Sequence, residues 1–576
     1  MTSQYDAVIG VWDGHDAGAA LVVNGKVELA LNEERLSGRK LDVGMPNRAI
    51  KAMRDLAGGR NVAWAVTTSD FAKTLTRTFP VMKENYYALR RRLVPPGPFH
   101  ALKLRSKYSL TQWPTNRSLR TWARLHFASK LGVPKQDVYV VDHHAAHAAS
   151  AAFWPAWDGS ANIITLDGIG DGESGSIWEW SETTRKLRKL VSIPGRASFG
   201  LFFEHVTNEL QMRPLEDEGK VMALATFAAE IPNTINPFLK WFSLEKNSDG
   251  LPKLSCAIKP SAMAKAVADV IYCTPREQVC RMAQQTLEYF VPRIFEMTAA
   301  ATGCGRFGYS GGVASNIKVN RLIRATAGIA DLKVCPAMGD GGLALGAALY
   351  AWNDLTESRP ASFEDFRLGT DHGDLAEGVE KLPQVNSAKI EFPKDIPFAV
   401  AQLVAAGEVV MWAQGRMELG ARALGARSII ARADSITARD DLNLRLKRRV
   451  WFQPFCPSML LSEAPRLLAD FRSDSDINLH MTAGFMTTQE GRIALAGAIG
   501  PDASCRPQMV RDDANERWAR MLQHVKRLTG TGAVINTSLN MHGKPMADNA
   551  AGVVEAWVES GVKYLALGSA LLSKLS

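Results

Sequence analysis

The sequence predicts an α/β protein in which a duplicated N-terminal domain is followed by a second α/β domain. Three observations lead there. Two stretches far apart in the chain, AVIGVWDGHDAGAALVVNGKV (7–27) and NIITLDGIGDGESGSIWEW (162–180), each read as an apolar strand ending at Asp-Gly, a small-residue loop and a returning apolar strand. A glycine-rich turn, FGYSGGVASNIKVNRLI (307–323), follows a short apolar strand and opens a helix. From about residue 396, apolar strands alternate with basic loops. Glycine at such turns lets backbone N–H groups crowd around an anion without interference from a Cβ. Paired hairpins of this kind suit the duplicated domain of actin-like and sugar-kinase-like (ASKHA) folds, with a nucleotide between the halves, although either one alone is an ordinary Asp-Gly turn.

At 576 residues the chain exceeds what one core organises. Residues 1–355 form the expected first domain and 396–576 the second; the polar, proline-containing stretch 356–395 reads as a linker. The longest apolar run, FAVAQLVAAGEVVMWA, carries Gln402 and Glu408 and reads as a buried helix followed by a strand, so no membrane span is expected. The start MTSQYDAVIGVW has neither the basic region nor the apolar stretch of a secretory signal, and none is expected. Seven cysteines without a CxxC pair argue against a structural zinc site or a disulfide framework and fit the reducing environment of a cytoplasmic protein.

The net charge of +9 points to anionic ligands and is unevenly spread. Between Lys83 and Lys130 eleven Lys and Arg stand against one acid, Glu84, interleaved with Tyr86, Tyr87, Phe99, Tyr108, Trp113 and Trp122. Such a stretch is a nucleic-acid cue. It suits still better a solvated helical insertion (about 83–130) or a lid over an anionic ligand, with aromatic walls that would fit a sugar, macrocycle or polycycle.

The stretch VYVVDHHAAHAAS (138–150) runs a strand into a helix carrying three histidines. Residues four apart share a helix face, so His143 and His147 can hold one ion, while His144 points about 100° away. A two-histidine site needs a carboxylate from elsewhere. The candidates are Asp167 in the second hairpin and Asp340 in VCPAMGDGGLALGAALYAW (334–352), where small residues from Gly341 onward let a helix pack closely. Helix-capping or hydrogen-bonded core histidines are the alternative. In the second domain, Arg416, Arg422, Arg427, Arg432, Lys447, Arg448 and Arg449 crowd two segments with few acids to pair, as bidentate capture of phosphate or carboxylate requires.

Taken together, these stretches resemble the NodU/CmcH family of O-carbamoyltransferases. The likeness runs in order through GHDAGAAL (14–21), NEERLSGRK (32–40), DHHAAHAASAAF (142–153), DGIGDGESGS (167–176), SFGLFFEHVT (198–207), EDEGKVMALA (216–225), SGGVASNIKVN (310–320), GDGGLALGAA (339–348), GRMELGARALGARSI (415–429), KRRVWFQPFCPS (447–458), RPQMV (506–510) and NTSLN (536–540). The resemblance implies that a C-terminal YrdC-like domain makes carbamoyl adenylate from carbamoyl phosphate and ATP with Mg2+. The N-terminal domain, similar to the universal tRNA threonylcarbamoyl transferase, then passes the carbamoyl group to a hydroxyl of a small-molecule acceptor, such as an antibiotic or another secondary metabolite. It implies His143, His147 and Asp340 as ligands of a divalent metal, iron in the family, with Asp167 beside it. His15 would sit near the carbamoyl group, and Gly311, Gly312, Asn316 and Asn320 against the adenosine. Arg416, Arg422, Arg427, Lys447, Arg449, Arg506, Asn536 and Ser538 would hold carbamoyl phosphate and the nucleotide phosphates.

Such chemistry needs a base for the alcohol proton. His15 has a suitable unperturbed pKa near ~6.5, and Asp16 and Asp217 are its rivals. The chain departs from the family pattern at Leu41, Ala421, Val450, Gln453 and Gly500, which bears on the carbamoyl phosphate step. Two other readings compete: tRNA modification with segment 83–130 gripping RNA, and a catalytically retired nucleotide-binding homologue. The long match to the small-molecule family weighs against nucleic acid, and intact His143, His147 and Asp340 weigh against retirement.

Overall fold

A computed structural model describes residues 5–91, 109–472, 474–511 and 516–575, apart from the side chains of Met82, Tyr86 and Leu89. The chain divides into two compact units, residues 1–33 with 42–364, and residues 34–41 with 365–576.

The first unit repeats one pattern. Strands β1 (Ala7–Trp12), β2 (Gly18–Val23), β3 (Lys26–Asn32), β4 (Val62–Thr67) and β5 (Val138–Val141) form a sheet in the order β3-β2-β1-β4-β5. Strands β6 (Ala161–Gly170), β7 (Glu173–Ser181), β8 (Lys186–Pro194), β11 (Arg306–Ser310) and β12 (Asp331–Val334) form a second in the order β8-β7-β6-β11-β12. In each, two antiparallel hairpin pairings are followed by two parallel crossovers. Identical order and sense in both sheets is the duplicated actin-like domain expected from the paired hairpins. A small hairpin, β9 (Phe242–Lys246) with β10 (Pro252–Cys256), is added to it.

The helix after β5, His143–Phe153, and the helix after β12, Leu343–Thr356, occupy equivalent places in the two repeats and pack on one another. Both are rich in Ala, and the second adds Gly346 at the contact, so their backbones approach closely. A Cβ on Gly346 would lie 1.9 Å from Ala146 O, and one on Gly10 of β1 1.9 Å from Ala344 O. This contact brings the start of the histidine helix to the turn that carries Asp340.

Two boundaries differ from the sequence reading. Strand β6 does not end at Asp167-Gly168 but continues through it, with an irregularity between Leu166 and Gly170, and turns at Asp171-Gly172, where φ is 54° and 85°. The irregularity removes the alternation that would have marked the strand. The stretch 356–395 is no linker. Ala361 N and Phe363 N donate to Gly25 O and Trp154 O of the first unit, whereas Leu375, Ala376, Val379 and Val385 are buried in the second. Only a few apolar side chains, in short turns, anchor this segment, too few to show periodicity.

In the second unit, β13 (Ala388–Glu391), β14 (Val410–Ala413), β15 (Arg427–Arg432), β16 (Cys456–Leu460), β19 (Gln508–Val510), β20 (Ala533–Ser538), β21 (Tyr564–Leu567) and β22 (Ala570–Lys574) form a mixed sheet in the order β13-β22-β21-β14-β15-β20-β16-β19. Strands β17 (Phe485–Met486) and β18 (Ser504–Cys505) pair separately. Alternation along β14 sorts the core. Val410 and Trp412 join Val400, Val404, Trp518 and Leu522 of the helices Ile396–Ala405 and Glu516–Thr529 on one face. Met411 and Ala413 join Val553 and Trp557 of the helix Ala550–Ser560 on the other. Among the described residues no helix is long and apolar enough to cross a membrane.

Candidate functional site

In the first unit, one ligand atom each from His143, His147, Asp167 and Asp340 lies within 4.8 Å of the others. His143 Nε2 is 3.1 Å from Asp167 Oδ2 and 3.8 Å from Asp340 Oδ1; His147 Nε2 is 3.4 Å and 3.5 Å from the same two oxygens. Nevertheless, among the described residues, the buried His147 Nε2 has no hydrogen-bond partner. The other nitrogens are held from behind, His143 Nδ1 by Thr68 Oγ1 at 3.0 Å and His147 Nδ1 by Ser310 Oγ at 3.4 Å. Thr68 adopts φ 67°, a left-handed conformation rare for a β-branched residue, and so brings its hydroxyl to the ring. Asp167 Oδ1 accepts from Gly312 N at 2.8 Å, which turns Oδ2 toward the histidines. Two imidazoles and two carboxylates with outer hydrogen bonds fixing ring orientation suit a divalent first-row metal.

The electrostatics agree with a cation-binding cluster. Burial alone would depress His147, but Asp167 and Asp340 outweigh it and raise the imidazole to about 9. Against burial, the histidines hold Asp167 well below the usual carboxylate range. His144 behaves otherwise. It shares hydrogen bonds with Thr165 Oγ1 (2.8 Å) and Glu173 O (3.1 Å), and burial with its two neighbours pushes it well below the usual value, so it is a neutral core histidine. His15 Nε2 stands 3.1 Å from Asp340 Oδ2, and its Nδ1 3.4 Å from Asp16 Oδ2. Despite burial these carboxylates raise His15 to about 9.

The second unit holds a basic cluster. Arg506 donates through Nε and Nη2 to Cys456 Sγ at 3.1 and 2.9 Å. Arg506, then burial and Arg449 push Arg422 down to about 9; burial and Arg506 push Arg449 down to about 10. Arg449 Nε donates to Asn443 Oδ1 at 2.8 Å, while its buried Nη2 has no hydrogen-bond partner among the described residues. Lys447, carried by the wide turn Leu442–Leu446, donates to Ser538 O, to Asn540 O at 2.9 Å and to Asn540 Oδ1 at 3.0 Å; burial first and Arg449 second hold it well below the usual lysine range. Ser538 Oγ donates to Asn540 Oδ1 at 2.6 Å, and Asn536 Nδ2 to Ser458 Oγ at 2.8 Å.

Residues 123–349 match the family model for the carbamoyltransferase N-terminus, and residues 401–574 that for the carbamoyltransferase C-terminus. The chain belongs to the carbamoyltransferase family. It is 29% identical over 569 residues to nodulation protein NolNO of Sinorhizobium fredii, across 97% of this chain and 79% of that one. It is 30% identical over 467 residues to an uncharacterised protein of Methanocaldococcus jannaschii, across 76% of this chain and 74% of that one. A second uncharacterised protein of that organism is 27% identical over 580 residues, across 99% and 100% of the two chains.

Several expected site residues of this carbamoyltransferase are engaged elsewhere. Arg427 is fully buried and donates to the carbonyls of Ala547, Gln414, Gly415, Ala426 and Asp548, so its hydrogen bonds go to the backbone around it. Arg416 donates to Gly369 O and Leu368 O. Asp217 pairs with Lys220 at 2.8 Å and accepts from Arg213 N, neither of them a member of the cluster. Asn316 caps the helix Ile317–Ala325 and pairs with Gln284, and Asn320 Nδ2 donates to Ala314 O, so both shape the glycine-rich turn. Gly311, at φ 95°, passes so close to Leu166 O that a Cβ would lie 2.2 Å from it.

The sequence reading missed the outer partners Thr68, Ser310 and Asp171. Asp171 Oδ2 accepts from His143 N at 2.8 Å and so caps the histidine helix, because Asp142, the residue at the cap position, pairs with Arg120 instead. Where described, four of the seven Lys and Arg of the stretch 83–130 meet acids: Lys83 meets Asp13, Arg90 Glu204, Arg91 Glu216 and Arg120 Asp142. Its acids come from distant sequence, which local charge counting misses. Residues 92–108, with Phe99 and Tyr108, and the Tyr86 side chain lie outside the described residues.

Proposed function

We propose that this enzyme is an ATP-dependent O-carbamoyltransferase that forms carbamoyl adenylate from carbamoyl phosphate and ATP in its C-terminal unit and transfers the carbamoyl group to a hydroxyl of a small-molecule acceptor in its N-terminal unit. The supporting observation is that the candidate base and the candidate cation site share a carboxylate: His15 lies 3.1 Å from Asp340, whose other oxygen faces His143 and His147.

In the C-terminal unit, Arg422, Arg449 and Arg506 supply the positive charge that carbamoyl phosphate and ATP require. Arg422 and Arg449 are both lowered in part by Arg506, as expected of cations held close together. Lys447 and Ser538 share Asn540 and form one polar edge for the reacting phosphate.

In the N-terminal unit, His143, His147, Asp167 and Asp340 would hold a divalent cation, iron by the family resemblance. When bound it supplies positive charge where oxygen charge develops. His15, held between Asp340 and Asp16, would remove the acceptor proton. The alcohol oxygen bonds to the carbamoyl carbon, the bond from that carbon to the adenylate oxygen breaks, and AMP leaves. Mass spectrometry of the enzyme with ATP and carbamoyl phosphate tests the first half: carbamoyl adenylate is expected, and its absence refutes the proposal.

A further inference from the structure

The loop after β1 that carries His15 also carries Asp13, and the reaction above leaves its surroundings unused. Asp13 is buried and meets three cations, Lys73 and Arg77 of the helix Phe71–Thr78 and Lys83 of the helix Pro80–Arg90. Arg77 uses four of its five N–H groups. Its Nε and Nη2 donate to the two carboxylate oxygens at 2.9 Å each, and further N–H groups reach Thr68 O at 2.6 Å and Thr67 O at 3.0 Å. Lys83 Nζ donates to Asp13 O and lies 3.7 Å from Asp13 Oδ2. Lys73 Nζ is 3.5 Å from Asp13 Oδ1 and 3.9 Å from the Trp12 ring centroid, with no hydrogen bond among the described residues although Lys73 is only 9% exposed.

Charge does not balance here. One carboxylate faces three buried cations; of the further acids that act on Lys73, Asp70 turns its oxygens to the backbone amides of Lys73 and Asp171, and Asp340 belongs to the histidine cluster. Burial pushes Lys83 down to about 7 and lowers Lys73 as well, as expected of ammonium groups short of counter-charge. The cluster also adjoins the site. The Trp12 ring beneath Lys73 packs edge-on against His143 at 5.9 Å. Gly312, in the turn expected against the nucleotide, meets the same cluster from the Asp167 side. The cations thus reach the cluster through Trp12 and His143, whereas the turn reaches it through Asp167.

We propose that Lys73 and Lys83 receive an anionic group, a carboxylate, phosphate or sulfate, carried by the acceptor. This rests on carbamoyl transfer occurring at the neighbouring cluster. Inorganic sulfate, titrated calorimetrically into the full chain without ATP or carbamoyl phosphate, reads the site apart from catalysis; an Arg506→Met background weakens the competing site in the C-terminal unit. Lys73→Met is expected to weaken sulfate about tenfold or more, the effect of removing one buried charge partner, and Lys83→Met to weaken it less. Unchanged affinity in Lys73→Met overturns the proposal. Should that variant not fold, Lys83→Met reads the same site and unchanged affinity there overturns it equally. AMP titrated in parallel separates the sources: AMP binding that falls tenfold with Lys73→Met assigns the cations to the donor phosphate and overturns the acceptor assignment. Failure of the wild type to make carbamoyl adenylate would instead refute the proposed function and leave the sulfate result standing.

Discussion

Replacing Gly346 with alanine tests how the helix contact builds the site. A Cβ there would lie 1.9 Å from Ala146 O, 2.7 Å from Ala146 C and 3.3 Å from Ala146 Cα, so it meets backbone that no rotamer change can clear. The carbonyl must retreat by more than an ångström to reach even 3.0 Å, a separation below which such contacts essentially never occur. In an exposed helix interior, Gly to Ala gains about 1 kcal/mol. Here overpacking opposes that gain at about 1–3 kcal/mol or more, so the net change is neutral to destabilising where propensity alone predicts stabilisation. The site effect is larger. The helix Leu343–Thr356 follows the Asp340 turn and its partner carries His143 and His147, so the opening separates ligands whose atoms now lie within 4.8 Å. Misplacement by about 1 Å costs a functional site on the order of 100-fold. Urea denaturation and metal titration of Gly346→Ala read the two effects; a variant more stable than wild type with undiminished metal affinity would refute the close-contact reasoning.

Three further outcomes are expected. Lys447→Ala abolishes carbamoyl adenylate formation, whereas His143→Ala spares it and slows transfer by about 100-fold or more, as mass spectrometry and product assays would read; the reverse pattern contradicts the division of labour. Lys83, lowered by burial to about 7 in the fold, has an unfolded pKa near ~10.4, so between those values the unfolded chain binds the extra proton and wild-type stability rises with pH, by up to about 1.4 kcal/mol per unit. Lys83→Met should lack that rise in denaturation measured from pH 7 to 10, and parallel curves for the two proteins would be the contrary result. Asp171→Ala removes the acceptor for His143 N and Ser69 N and should cost about 1–2 kcal/mol together with metal affinity; an unchanged urea midpoint argues against the capping role.

Legibility in the sequence followed the range of the forces involved. The hairpin pattern and the HxxxH spacing are local, so β1, β2 and the shared face of His143 and His147 could be read directly, and the small residues after Gly341 marked a close helix contact without naming Ala146 as its partner. Non-local features were hidden. The five carbonyl acceptors of Arg427 come from segments up to 121 residues away. The segment 83–130 looked uncompensated because Asp13, Glu204 and Glu216 lie outside it. Residues 375–385 looked like linker because a few apolar side chains in short turns suffice to join a core without periodicity. Asp171 carried a turn signal but no hint that it would cap a helix starting 28 residues earlier.

The central claim is that His143, His147, Asp167 and Asp340 jointly hold one divalent cation beside His15. Metal content per chain, measured on anaerobically purified wild type and on Asp340→Asn by inductively coupled plasma mass spectrometry, tests it most directly. One equivalent in the wild type, with near-complete loss in Asp340→Asn and retained folding, is the predicted result; a folded wild type without stoichiometric metal, or equal content in both proteins, would contradict it.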